Sequence, residues 1–333
     1  MKVSRPCCRA TGFGLPPMHG PITGLMMKTV GILVLELTGS LLMSCSGRYQ
    51  GTDANVRYAS VGTGTQKVRL AYRDHGTGPT ILLLHGFGAS SYTWRHVEPA
   101  LIASGNRVIT LDMKGFGLSE KPFDDRYSIF DQAALVSQFI DRIGLKKVTV
   151  VGHSLGGGVA LVLALDKNPA KRKRIAKLIL IDSIAYAQKI PIAFNILRTP
   201  VLGEISTRLV PLEVQTRVAL KLAYYDDSKF DSRDVKQYSG PLKDKGSRNA
   251  LIQTARQILP ENLPELSSRY KTIKIPALII WCDHDKVIKP NIGLRLNRDL
   301  PNSTFRLVGE CGHLPQEEQP VQTIWFIQNF LKR

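Results

Sequence analysis

Apolar residues recur along this chain in short runs separated by longer amphipathic stretches, the rhythm of a parallel sheet covered on both faces. Runs rich in Val, Ile and Leu predict strands at 68–73, 80–84, 108–112, 147–151, 178–182, 277–281 and 304–308. Several are continuous rather than alternating, as in Ile81-Leu82-Leu83-Leu84, which fits strands buried on both sides. Apolar positions at helical spacing predict helices at 92–103, 129–143, 155–165 and 321–332. Strand and helix therefore alternate, which predicts βαβ units and an α/β fold.

Residues 184–268 break this rhythm. Helical periodicity continues there, as at 212–225, but strands are missing and Pro191, Pro200, Pro211, Pro241, Pro260 and Pro264 punctuate the segment. The pattern predicts a helical lid inserted into a core made of residues 60–183 and 269–333, with a polar linker at 45–59.

Residues 1–44 are read as a leader. Lys28 precedes an apolar run at 30–43 that is too short to cross a bilayer, for which a helix needs about 20 residues. Small residues follow it, the grammar of a secretory signal, and Leu42-Met43-Ser44-Cys45 resembles the lipobox of bacterial lipoproteins. That resemblance implies cleavage before Cys45, lipidation of Cys45 and attachment to the cell envelope facing the periplasm, since two or more acyl chains anchor stably. Glu36 departs from the pattern, and a leader on a cytoplasmic enzyme is the alternative.

Apolar residues make up 43% of the 333 and charged residues 22%, an ordinary globular mix that allows a large core. The net charge of +18 is less ordinary and favours anionic surroundings. Nucleic acid is not the expected partner: the cations are scattered, and the cluster Lys171-Arg172-Lys173-Arg174 has no interleaved aromatics on which bases would stack. A solvated loop accounts for it.

The chemistry concentrates in Val150-Val151-Gly152-His153-Ser154-Leu155-Gly156, where a β-branched strand runs into G-x-S-x-G and then an apolar helix. A bare G-x-S-x-G decides little, but between strand and helix it is a nucleophile elbow, with Gly152 and Gly156 where crossing elements leave no room for side chains. A serine hydroxyl needs a base to take its proton. His313, in the loop after the last strand, alone combines that position with the chain order Ser, Asp, His; His19, His75, His85, His96, His153 and His284 are its competitors. Asp285, just after the penultimate strand, is the expected acid, with Asp283 as nearest rival and Asp182 as a weaker one that reads as a structural strand-end carboxylate. The oxyanion donors are expected to be the amides of Leu155 and of Phe87, the latter within His85-Gly86-Phe87-Gly88. Cys and His show no metal-ligand spacing, so neither metal nor cofactor is expected.

His85-Gly86-Phe87-Gly88, Asp112-Met113-Lys114-Gly115-Phe116-Gly117-Leu118-Ser119, the elbow, Asp285 and His313 together resemble the α/β-hydrolase superfamily, over roughly residues 60–333. The resemblance implies a mostly parallel sheet with a lid, and a serine hydrolase acting on a small or medium carboxylic ester. Carbon–carbon bond hydrolysis of dienoate-type products, with Arg198 or Arg208 as carboxylate clamp, is the alternative reaction. A non-catalytic ligand-binding protein on the same fold is the alternative class. Ser90-Ser91-Tyr92-Thr93-Trp94-Arg95 is similar to haloalkane dehalogenases and epoxide hydrolases, but those displace at an alkyl carbon with an aspartate, and Ser154 argues against both. Phe194, Tyr186, Leu197, Tyr224 and Tyr225 suggest an apolar pocket, though each alone reads as lid core. Cys282 departs from the glycine common in relatives, and in an oxidising compartment a bridge to Cys311 would tie the acid loop to the base loop. Unpaired buried thiols are the other reading.

Overall fold

The computed structural model describes residues 55–199 and 201–333. The leader, Cys45 and most of the expected linker lie outside the described residues.

Among the described residues, eight strands form one sheet: β1 (Arg57–Val61), β2 (Val68–His75), β3 (Thr80–Leu84), β4 (Arg107–Leu111), β5 (Val148–His153), β6 (Ile175–Ile181), β7 (Ala277–Cys282) and β8 (Ser303–Val308). Their order is β1-β2-β4-β3-β5-β6-β7-β8; β2 pairs antiparallel with both β1 and β4, and every pairing from β4 to β8 is parallel. The continuous apolar runs are the parallel strands, and β3 shows why. Leu82 and Leu84 enter one core while Ile81 and Leu83 enter the other, so both faces need apolar side chains.

The first core is closed by α2 (Ile129–Arg142), α3 (Leu155–Ala164) and α11 (Pro290–Asp299), and the second by α1 (Glu98–Ala103) and α13 (Pro320–Leu331). Helix α2 starts at a capping box in which Ser128 accepts from the Asp131 amide at 3.2 Å and Asp131 accepts from the Ser128 amide at 3.0 Å. Lys171–Arg174 sits around α4 (Pro169–Arg172) at the surface, with Arg174 paired to Asp141.

Between β6 and β7 lie α5 (Ile192–Arg198), α6 (Leu202–Leu209), α7 (Leu212–Ala223), α8 (Ser232–Ser239), α9 (Ser247–Arg256) and α10 (Leu263–Ser268). A short helix, α12 (Pro315–Glu318), follows the loop after β8.

Two expectations need correction. Strand β1 begins inside the segment read as linker: its sequence alternates with polar residues and buries only Ala59 and Val61, so it lacks the run that marks the other strands. The helix expected over 92–103 is two elements, a tight turn at Ser91–Trp94 and then α1. Pro99 causes the break, because its ring clashes with the carbonyl one turn earlier and it has no N–H to bond there.

Candidate active site

Ser154 sits at the junction of β5 and α3 with φ 52° and ψ −113°, a conformation that costs a non-glycine residue about 1–3 kcal/mol. Local packing holds it there. The Ser154 amide donates to Ile181 O at 2.9 Å, and its carbonyl accepts from Ile184 N at 3.0 Å. A Cβ at Gly152 would fall on the backbone of Gly156, and one at Gly156 on the carbonyls of Leu84 and His85, so both positions require glycine.

His313 follows β8, and its Nδ1 lies 2.7 Å from Asp285 Oδ2. Asp285 is fully buried, and its other oxygen accepts from the amides of Val287 at 2.7 Å and Ile288 at 2.8 Å. Three donors aimed at it fix the carboxylate, which in turn orients the imidazole and leaves Nε2 unengaged. Asp283, the rival, instead accepts from Glu310 N at 3.2 Å and Cys311 N at 3.3 Å and braces the base loop.

Beyond the Cys282–Cys311 bridge, the contacts that pin that loop have no local signature in the sequence. His153 Nε2 donates to the His313 carbonyl at 2.7 Å, with the two rings 4.9 Å apart. Burial, and then the neighbouring His313, push His153 well below the usual histidine range, so it acts as a neutral donor. Glu318 accepts from Gly312 N at 2.6 Å and from Tyr225 N at 2.9 Å, which joins the base loop to the end of α7. Cys282 and Cys311 form a disulfide between β7 and the base loop.

On the opposite wall, His85 is buried and held neutral mainly by that burial. It donates from Nδ1 to Gly86 O at 2.7 Å and accepts at Nε2 from Met113 N at 3.0 Å, shaping the turn that carries Phe87. The Phe87 and Leu155 amides have no acceptor among the described residues, and neither do Ser154 Oγ and His313 Nε2. No hydrogen bond joins the serine to the histidine, a contact that in hydrolases of this kind often tightens only along the reaction. Phe87, Ser154 with Leu155, Asp285 and His313 nevertheless all lie in segments that leave the carboxyl ends of β3, β5, β7 and β8.

Among the described residues, Asp182, Asp285 and His313 are the cluster with metal-ligand spacing, their atoms lying within 4.8 Å of one another. The Nδ1 to Oδ2 contact within it is already a hydrogen bond.

Of the apolar residues expected to line a pocket, Phe194 packs on Phe87 at 4.9 Å and reaches the site. Tyr186 instead bonds Asp299 and packs on Tyr270, Tyr224 is buried against Phe230, and Tyr225 stacks on His284 at the surface. Arg208 pairs with Glu204 at 3.5 Å and lines a separate cavity of about 610 Å³ between the insertion and Phe123 of the core, which none of Ser154, Asp285 and His313 lines.

A family model described as "alpha/beta hydrolase fold" matches residues 79–207 and 213–320, and the chain belongs to that family. The hydrolase YugF of Bacillus subtilis (strain 168) is 30% identical over 265 residues, covering 78% of this chain and 94% of its own length. The 2-hydroxy-6-oxononadienedioate/2-hydroxy-6-oxononatrienedioate hydrolase 2 of Pseudomonas putida is 27% identical over 294 residues, covering 83% of this chain and 96% of itself. Among solved structures, the epoxide hydrolase CorEH superposes with a TM-score of 0.71 at 25% identity, over 83% of this chain and 99% of its own.

Proposed function

We propose that this hydrolase cleaves a small or medium carboxylic ester through an acyl-enzyme formed on Ser154. His313 takes the serine proton as the hydroxyl attacks the ester carbonyl, and passes it to the leaving alcohol. Asp285 stabilises the imidazolium that forms between these steps. The amides of Phe87 and Leu155 receive the developing oxyanion, and a water activated by the same histidine then releases the acid. One observation carries the reading. Ser154 is held at positive φ, the ring of its neighbour His153 packs 4.9 Å from the His313 ring, and His313 Nδ1 is bonded to the buried Asp285 carboxylate.

A second reading, hydrolysis of a carbon–carbon bond in a dienoate-type product, is favoured by the named activity of the Pseudomonas putida relative. It would use the same three residues. A series of nitrophenyl esters of increasing chain length, assayed beside a dienoate substrate, separates the two. Ester turnover that is lost in Ser154→Ala supports the first, whereas dienoate turnover with inert esters replaces it by the second.

We also propose that the chain is secreted and lipid-anchored through Cys45. The Cys282–Cys311 bridge supports this, because disulfides persist in oxidising compartments. Labelled palmitate should enter the wild type and not Cys45→Ser; equal incorporation in both would remove the proposal.

A further inference from the structure

Asp182 follows β6, beside the strand that leads to Asp285, and it is fully buried. Its backbone takes a positive φ of 41°, which a non-glycine residue adopts only where its surroundings hold it. One carboxyl oxygen, Oδ1, accepts from Cys282 N at 3.0 Å. The other, Oδ2, is buried with no partner among the described residues. An ionised carboxylate in that setting would carry an unsolvated charge a few ångströms from a second one, since Asp182, Asp285 and His313 place atoms within 4.8 Å of one another.

Two carboxyls this close share a proton, and the donors decide which one holds it. Asp285 receives three N–H groups, from Val287, Ile288 and His313, whereas Asp182 receives one. The charge therefore belongs on Asp285 and the proton on Asp182.

We propose that Asp182 is a positioning residue: a neutral carboxylic acid whose Oδ2–H donates to Asp285 and holds that carboxylate against His313. The orphan oxygen then becomes a donor, and the single negative charge stays where the imidazolium needs it. Burial first, and then the Asp285 charge, push the Asp182 carboxyl well above the usual carboxylate range, in the direction the geometry requires. The other titratable groups facing it are His313 and Glu318, and Glu318 raises it further. The proposal rests on the serine-hydrolase reading, but the proton itself is observable without turnover.

Infrared spectroscopy of the full chain at neutral pH tests it. The wild type should show a protonated-carboxyl stretch that Asp182→Asn lacks, with Glu318→Gln recorded to assign any band from that residue. Because the asparagine amide keeps one acceptor and one donor, Asp182→Asn should keep kcat/KM within about threefold, with the acid limb of its pH profile unmoved. Asp182→Ala should lose about tenfold or more in kcat, since it leaves the Asp285 oxygen without its donor. If Asp182→Asn does not fold, titration of the band in the wild type decides alone: persistence above neutral supports the proposal. Absence of the band at neutral pH, or an acid limb displaced by about one unit in Asp182→Asn, would overturn it, because either means that a charge stood at this position. Loss of all activity in wild type would sink the hydrolase reading and leave the band unaffected.

Discussion

Single residues divide into those the chain order reveals and those only the fold reveals. Ser154, Asp285 and His313 were readable because each follows a strand and the elbow has a local signature. Asp182 and His153 were visible as residues, but not as partners of Asp285 and His313, because that pairing arises when β6, β7 and β8 lie side by side. A buried acid that keeps its proton also predicts how stability depends on pH. Below the pKa of the unfolded chain, about 3.9, both states hold the proton and Asp182 adds no pH dependence. As pH rises past that value the unfolded chain releases its proton while the folded protein keeps it, so stability falls until the raised folded pKa is reached. Asp182→Asn removes this slope. Its melting temperature should therefore rise relative to wild type as pH increases from 4 toward 8, a comparison made by calorimetry; parallel curves would contradict a raised pKa.

At the scale of elements, continuous apolar runs exposed the parallel strands, and proline spacing exposed the inserted helices. The sequence could not show how that insertion is fastened. Glu317 on α12 is buried and accepts from Thr93 at 2.6 Å, Arg95 at 2.5 Å, Tyr224 at 2.9 Å and Tyr238. Arg95 also binds Asp234 at the start of α8, at 2.9 Å. These contacts join the turn after β3, the end of α7 and α8 to the helix just beyond His313, so one carboxylate couples the insertion to the base loop. The participating residues lie up to 224 positions apart, and no local pattern announces them. Arg95→Met should cost about 3 kcal/mol of stability, because Glu317 stays buried with its charge unpaired. Urea unfolding measures this, and a loss below about 1 kcal/mol would show that the hydroxyl donors suffice on their own.

For the molecule as a whole, the sheet is the reason four distant segments meet at one edge. Parallel strands all end at the same edge, so loops after β3, β5, β7 and β8 gather there whatever their separation along the chain. The disulfide adds a covalent tie at that edge, between residues 29 apart. The family match over residues 79–207 and 213–320 spans every one of these loops. Everything turns on whether Ser154 is the atom that bonds to substrate. The direct measurement is mass spectrometry of the protein after reaction with a fluorophosphonate. The account predicts one adduct per chain, mapped to the peptide holding Ser154 and formed far more slowly in His313→Ala. Active ester hydrolysis with the adduct elsewhere, or with none formed, would contradict it.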